Sequence, residues 1–457
     1  MYDLVLKGGT LVVSEDVFEG DLAVRGGKIA AIGQALDADE SRCLDLRGKI
    51  VLPGAIDPHV HMALPVASGT PLGETRSCDD FLTGTMAAAS GGVTTIIDFT
   101  VGSRQTTMPG DLENRLKAAR DSVIDYAFHA EVVGWTPARL DEMREVAEMG
   151  VRSFKFFTAY ASSGRRTENG PLLESMHTLA EIDGLAVVHA EDESVIQTIL
   201  EQMTDEQKSR MTALGLSRPD VCEACAIDSV AWLARYAGAR VHIVHLSSQM
   251  GLEELLKARR EGTDITAETC PQYLLLTDEV YKKEEARFFS AAPALRTVAD
   301  QQALWRALSK KDLAFLATDH CPFTREQKAW QGRFDRLPYG LPGVELMLPL
   351  AYSEGVLKGR FSLSDLAELT STAAAKLYGL YPRKGNLLPG ADADVAVIDP
   401  EAEWTVKASG LRSNCDFSPY EGLPMRGKVH AALSRGELIY RDGEFMGRPG
   451  RGRFLAR

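Results

Sequence analysis

The sequence predicts an α/β protein: a TIM-type (β/α)8 barrel with a small β-sandwich formed by the N- and C-terminal segments. Three observations lead there. From residue 53 onward, eight short apolar segments alternate with amphipathic helical stretches. Residues 1–52 instead alternate apolar and polar side chains with period two, broken by Gly pairs. That second rhythm returns after Gly385. Near-continuous apolar strands separated by helices mark a parallel sheet covered on both faces. Eight such units fit a closed barrel better than an open sheet.

The expected parts are a first sandwich portion at 1–52, a catalytic barrel at 53–384, a second sandwich portion at 385–441 and a tail at 442–457. Asp3-Leu4-Val5-Leu6, Asp21-Leu22-Ala23-Val24 and Ile29-Ala30-Ala31-Ile32 read as strands, the last after the turn residues Gly26-Gly27. Barrel strands are expected at 55–61, 93–99, 126–133, 152–157, 185–190, 240–246, 264–269 and 313–319. Between them the 3.6-residue period predicts helices at 110–124, 136–149, 171–183, 220–237, 247–260 and 298–310. Two more helices, about 343–358 and 362–378, follow the eighth strand. Strands return at 394–398, 404–406, 429–433 and 437–440. The Gly- and Arg-rich tail is expected to be loose or to pack on another subunit.

Composition excludes several classes. The 457 residues are 45% hydrophobic and 25% charged, as in a soluble globular enzyme. A net charge of −13 argues against nucleic acid or an anionic membrane as partner, because both select basic patches. No apolar run reaches the ~18 residues of a membrane span. The N-terminus, Met1 to Lys7, lacks the build of a signal peptide and reads as a strand. Seven scattered cysteines suggest reduced thiols in a cytoplasm. Cys222 and Cys225 form a C-x-x-C, but no second pair answers it and the segment has helical periodicity.

The chemistry starts at Asp57-Pro58-His59-Val60-His61. Residues i and i+2 of a strand share a face, so His59 and His61 aim at one spot. That is a metal-site geometry; the plainer reading is one hydrogen-bonded core histidine and one chance neighbour. His189 and His245 also end predicted barrel strands, and strand ends converge on one rim. His320 follows the eighth strand. By strand parity His242 faces away from His245, toward the helices, and is structural. His129 lies deeper on the third strand; His177 and His430 read as surface or packing residues. Lys155 sits in Ser153-Phe154-Lys155-Phe156-Phe157, where an unpaired ammonium is costly and burial lowers its pKa. A neutral amine there can add CO2 and become an anionic carbamate able to bridge two metals. An ion pair with a carboxylate at the barrel mouth is the alternative. With the histidines considered, the carbamate reading is preferred. Asp319, in Thr318-Asp319-His320, is placed to bind metal through one oxygen and handle a proton with the other.

These motifs resemble the cyclic amidohydrolases of the amidohydrolase superfamily, the hydantoinases and dihydropyrimidinases. The resemblance spans nearly the whole chain. Besides the segments above it includes Gly91-Gly92-Val93-Thr94-Thr95, Val188-His189-Ala190-Glu191, Glu268-Thr269-Cys270-Pro271, Gly390-Ala391-Asp392-Ala393-Asp394 and Phe417-Ser418-Pro419-Tyr420-Glu421-Gly422. It implies a binuclear centre, with zinc the expected metal. His59, His61 and Asp319 would hold the more buried ion, His189 and His245 the more exposed one, and carbamylated Lys155 would bridge both with a hydroxide. That hydroxide would attack a ring amide of a small cyclic ureide, giving the N-carbamoyl amino acid. Asp319 would act as general base and then acid, and Tyr160 would donate to the oxyanion. A homotetramer is implied as well.

The chain departs from the family pattern at two substrate-contacting positions. Ala292 stands where a Ser is common, with Ser290 two residues upstream, and Tyr339 stands where an Asn precedes the Gly. Both contacts are expected from main chain. The loop from Met62 to Asp79, with Leu64, Val66 and a Gly69-Thr70-Pro71 turn, and the polar segment Ala161 to Arg166, which reads as a mobile lid, are expected to select the ring substituent. Rival readings are allantoinase, dihydroorotase and a non-catalytic scaffold. Dihydroorotases place an Arg where Ala63 stands, and a scaffold would not fill every ligand position.

Overall fold

The computed structural model describes residues 1–67, 73–329 and 332–457. The Gly69-Thr70-Pro71 turn of the reading above lies outside these residues. The eight predicted barrel strands are present as Ala55–Val60, Val93–Phe99, Asp125–Glu131, Ser153–Phe157, Leu185–His189, Arg240–Ile243, Ile265–Thr269 and Phe315–Leu316, hydrogen-bonded in sequence order. Adjacent pairs are parallel. The first and eighth strands meet through a bridge between Val60 and His320. There His61 N donates to His320 O at 2.8 Å and His320 N to His59 O at 3.3 Å.

The N-terminal strand ends are filled by side chains. Ile56, Ile97, Ala127, Leu185, Val187 and Phe315 pack with Ala374, Ala375, Tyr378 and Leu380. A barrel plugged at that end leaves chemistry to the opposite rim. The predicted covering helices appear as Met108–Ala118, Ala138–Glu148, Asn169–Glu181, Asp220–Ala237, Gln249–Arg260 and Val298–Ser309. Each of the two later helices contains a π-helical turn, at Ala351–Val356 and Glu368–Thr372. The sequence reading did not resolve the helix Glu193–Gln202 and the short helical turns before Asp220. No helix among the described residues is long and apolar enough to cross a membrane.

Both chain ends join one largely antiparallel sheet. Its central junction pairs Ile50–Pro53 with Val395–Thr405, in register Val397 to Val51. The chain passes from this sheet into the first barrel strand at Gly54. A Cβ there would lie 2.2 Å from the Thr94 hydroxyl, so only glycine fits. Gly54 N donates to Asp394 O at 2.8 Å, and Ser371 Oγ donates to Gly54 O at 2.7 Å. The fully buried Lys384 ammonium ties the modules together, reaching Asp125 at 2.7 Å and Asp394 at 2.6 Å.

The tail is neither loose nor directed only at another subunit. Tyr126 N donates to Arg453 O at 3.0 Å, Leu455 N to Tyr126 O at 2.8 Å and Arg457 N to Gly150 O at 2.9 Å. Phe454 stacks on Phe128. Gly452 allows the approach, since a Cβ would lie 2.1 Å from the Ile124 carbonyl. Composition signalled mobility, but backbone donors and one aromatic ring anchor the segment on its own barrel.

Candidate active site

The strand ends bring His59, His61, Lys155, His189, His245 and Asp319 to one cavity of about 450 Å³, which Tyr160, Ala292 and Tyr339 also line. Asp319 Oδ1 lies 3.3 Å from His59 Nε2 and 3.1 Å from His61 Nε2. His189 Nδ1 faces His245 Nε2 at 2.9 Å. The rings of His59 and His245 are 5.4 Å apart, so the two groups adjoin. Tyr160, His245 and Asp319 all have left-handed backbone, with φ of 70°, 42° and 52°. Such positions cost about 1–3 kcal/mol each and cluster at functional sites.

Lys155 lies between the groups. Its ammonium is 5.2 Å from the Phe99 ring and 4.8 Å from the Phe157 ring. Phe99 in turn packs on His59 and His61, and Phe157 on His189. Lys155 is 2% exposed and has no hydrogen-bond or ion-pair partner among the described residues, so the mouth ion pair is not formed. Burial pushes its pKa down to about 8.

The outer contacts determine which nitrogen faces inward. Glu268 Oε1 accepts from His59 Nδ1 at 2.6 Å, and its Oε2 accepts from His242 Nε2 at 3.2 Å. Burial opposes charge on Glu268, yet the His59 and His242 rings hold its carboxyl below the ordinary range. Glu191 Oε2 likewise accepts from His189 Nε2 at 2.8 Å and is paired with Arg218. Burial opposes its charge too, but Arg218 and then His189 hold its pKa at about 2. With these outer N–H groups committed, His59 Nε2 and His189 Nδ1 present lone pairs inward. A histidine lone pair set against the Asp319 carboxylate is unfavourable unless a cation sits between them. The buried His61 Nδ1 and His245 Nδ1 have no partner among the described residues. This donor set therefore fits divalent metal, and imidazole with carboxylate suits zinc among others. Glu268→Gln should weaken the hold on metal about 10–100-fold, as loss of a carboxylate behind a ligating histidine does. Chelator competition on purified protein checks this.

The parity argument for His242 fails. It faces the barrel interior, stacked on Phe315 and bonded to Thr266 Oγ1 at 2.7 Å. The strand ends at Ile243 and the backbone turns left-handed at His245, so parity does not carry across. His242 remains structural, as expected, through Glu268. His129 also has firm partners, Ser153 Oγ at 2.6 Å and Pro58 O at 3.0 Å. His320 stays outside the group, held by Asp79 at 3.1 Å and accepting from Gly343 N at 3.0 Å.

Further residues support the site, Asp57 from within the first histidine motif and Arg218 and Lys328 with no motif to announce them. Asp57 accepts from Thr318 Oγ1 at 2.5 Å and Thr318 N at 3.1 Å, setting the backbone before Asp319. Burial raises the Asp57 pKa to about 7. Arg218 lies over the Tyr160 and Tyr339 rings, at 5.4 and 5.7 Å. Lys328 is fully buried and donates to Ser290 O, Ser290 Oγ and Gly340 O at 3.1, 2.9 and 2.6 Å. It clamps the two segments that carry Ala292 and Tyr339. Ser290 Oγ donates to Pro338 O at 3.1 Å and does not line the cavity, whereas Ala292 does. The segment expected as a mobile lid is tied down. Ala161 N donates to Glu193 at 2.9 Å, Gly134 N to Gly164 O at 2.9 Å and Thr167 N to Phe157 O at 2.8 Å.

Barrel and mouth together define a metal-site hydrolase architecture. The amidohydrolase family pattern matches residues 50–439, and the chain belongs to that family. Among its relatives, D-phenylhydantoinase from Escherichia coli is 39% identical over 461 residues, covering 99% of this chain and 98% of the relative. D-hydantoinase from Geobacillus stearothermophilus is 36% identical over 459 residues, covering 99% and 96%. The crystal structure of dihydropyrimidinase from Brevibacillus agri superposes with a TM-score of 0.95 at 33% identity, covering 99% and 98%. L-hydantoinase (dihydropyrimidinase) from Arthrobacter aurescens gives 0.91 at 32%, covering both chains fully at 100%.

Proposed function

We propose that the protein is a cyclic-amide hydrolase that opens the ring of hydantoins or dihydropyrimidines to N-carbamoyl amino acids. The convergence of four histidines, Lys155 and Asp319 on one cavity beside Tyr160 carries this reading. The full-length likeness to hydantoinases and dihydropyrimidinases supports it. His59, His61 and Asp319 would hold one divalent ion and His189 and His245 a second, zinc in each case, with Lys155 as carbamate between them. Bound there, the ions would supply Lewis acidity and ionise water near neutral pH.

The chain's own groups do the rest. Asp319 turns Oδ1 toward the two histidines, where the ion would sit, and leaves Oδ2 without a partner among the described residues. Oδ2 takes the proton of the attacking water and returns it to the leaving ring nitrogen. Burial pushes the Tyr160 phenol up to about 12, so it stays protonated and donates to the carbonyl oxygen as negative charge develops. The backbone at Ala292 and Tyr339 grips the ring amide.

Initial rates on hydantoin, dihydrouracil, allantoin and dihydroorotate test the reading, together with metal analysis. Hydantoin or dihydrouracil should exceed the other two at least about tenfold in kcat/KM, with two ions per chain. Preference for allantoin or dihydroorotate, or a metal-free inactive protein, overturns it.

A further inference from the structure

The cavity wall carries a charge that ring opening does not use. Leu64, Pro65, Val66 and Leu337 make part of the wall apolar, and Arg165 lines the same cavity. Its side chain is 24% exposed, and Nε donates to Glu131 Oε1 at 2.7 Å. Neither Nη has a partner among the described residues. The other charged groups of the wall are engaged: Asp319 faces its histidines, Asp335 is held by Arg333 at 2.7 Å and Lys155 is enclosed by phenyl rings.

The backbone positions this guanidinium. Arg165 N donates to Tyr160 O at 3.2 Å, and the bridge from Phe157 to Arg166 follows directly. Glu131 is only 5% exposed and its Oε2 accepts from Gly102 N at 3.3 Å, so the carboxylate is fixed in the wall. With Nε held there, the edge left open is Nη1–Nη2. That edge offers two parallel donors matched to the two oxygens of a carboxylate. Arg104, from the loop after the strand Val93–Phe99, adds positive charge beside this segment, reaching Ala161 O at 3.4 Å without an acidic partner among the described residues.

We propose that Arg165 is the specificity residue of this site: its open Nη1–Nη2 edge takes a carboxylate at the end of the exocyclic substituent, so the preferred substrates are cyclic ureides bearing an acidic side chain. The inference rests on the ring-opening reading and names its substrate class. It is compatible with Ala63, because that position concerns a carboxylate on the ring itself.

The test compares kcat/KM for 5-(2-carboxyethyl)hydantoin with that for 5-(2-carbamoylethyl)hydantoin, which has the same shape without the charge. The wild-type ratio should be at least about tenfold in favour of the acid. Arg165→Gln should bring it to about one, and Glu131→Gln, which removes the competing charge, should raise it. If Arg165→Gln does not fold, the double variant Glu131→Gln/Arg165→Gln, a neutral pair of similar shape, takes its place with the same criterion. A wild-type ratio near or below one, or a ratio that survives the substitution, overturns the inference. Turnover of unsubstituted hydantoin with none of the acid overturns the inference alone. No turnover of any ring, hydantoin included, overturns the ring-opening reading and this inference with it.

Discussion

Lys155→Ala should lower kcat/KM for ring hydrolysis at least about 10³-fold, a loss of about 4 kcal/mol in transition-state stabilisation. The reason is its setting. Lys155 is 2% exposed, lies between two phenyl rings and has no carboxylate partner among the described residues. Burial brings its pKa to about 8, so a substantial neutral fraction exists near physiological pH. On the proposed reading the free amine would attack CO2, forming a C–N bond and releasing a proton, and would leave an anion where the histidine groups meet. Without that anion the metal content should fall together with the rate. Short carboxylic acids such as propionate should restore part of the activity by occupying the vacated space. The measurement is kcat/KM with metal analysis and a thermal melt, which separates lost chemistry from lost folding. Activity within tenfold of wild type, with metal retained, would refute the bridging role.

Asp319→Asn should lower kcat about 10²–10⁴-fold, the range of general acid–base contributions. Asparagine keeps an oxygen toward His59 and His61 but cannot shuttle a proton. Burial works against the Asp319 charge, yet the neighbouring His59 and the His61 contact lower its pKa below the ordinary value. A carboxyl with a lowered pKa is the available base at every pH above that value. It fails only as pH drops through it, so wild-type activity should not lose this base near neutrality. The substitution should leave KM nearly unchanged and depress kcat and kcat/KM together, as expected when the group acts only in the transition state. A variant with normal kcat would remove Asp319 from the proton transfer.

The barrel was legible because its cues are local. Apolar runs such as Val93–Phe99 and Leu185–His189 are bounded by helical periodicity, and each expected strand is found within a few residues of its predicted place. The candidate ligands were legible for a related reason. His59, Lys155, His189 and Asp319 stand at strand ends, and a closed barrel brings such ends to one rim whatever the loops do. His242 was misjudged because alternation holds only while the strand continues, and here the backbone turns before His245. The tail was misjudged because Gly and Arg content measures freedom in the unfolded chain and says nothing of docking partners.

The sequence by itself determined the class of architecture, the split terminal sheet and the set of groups that could hold metal. Tertiary structure alone decided which atoms face inward. Glu268 meets His59 across 209 residues and Asp57 meets Thr318 across 261, and no periodicity reports such pairings. It also decided that Lys155 has no ion-pair partner among the described residues, that Lys328 clamps the two segments carrying Ala292 and Tyr339 and that Arg165 lines the cavity. Local preference depends on near neighbours along the chain, whereas tautomer, charge and specificity depend on which distant groups close packing brings within hydrogen-bond reach.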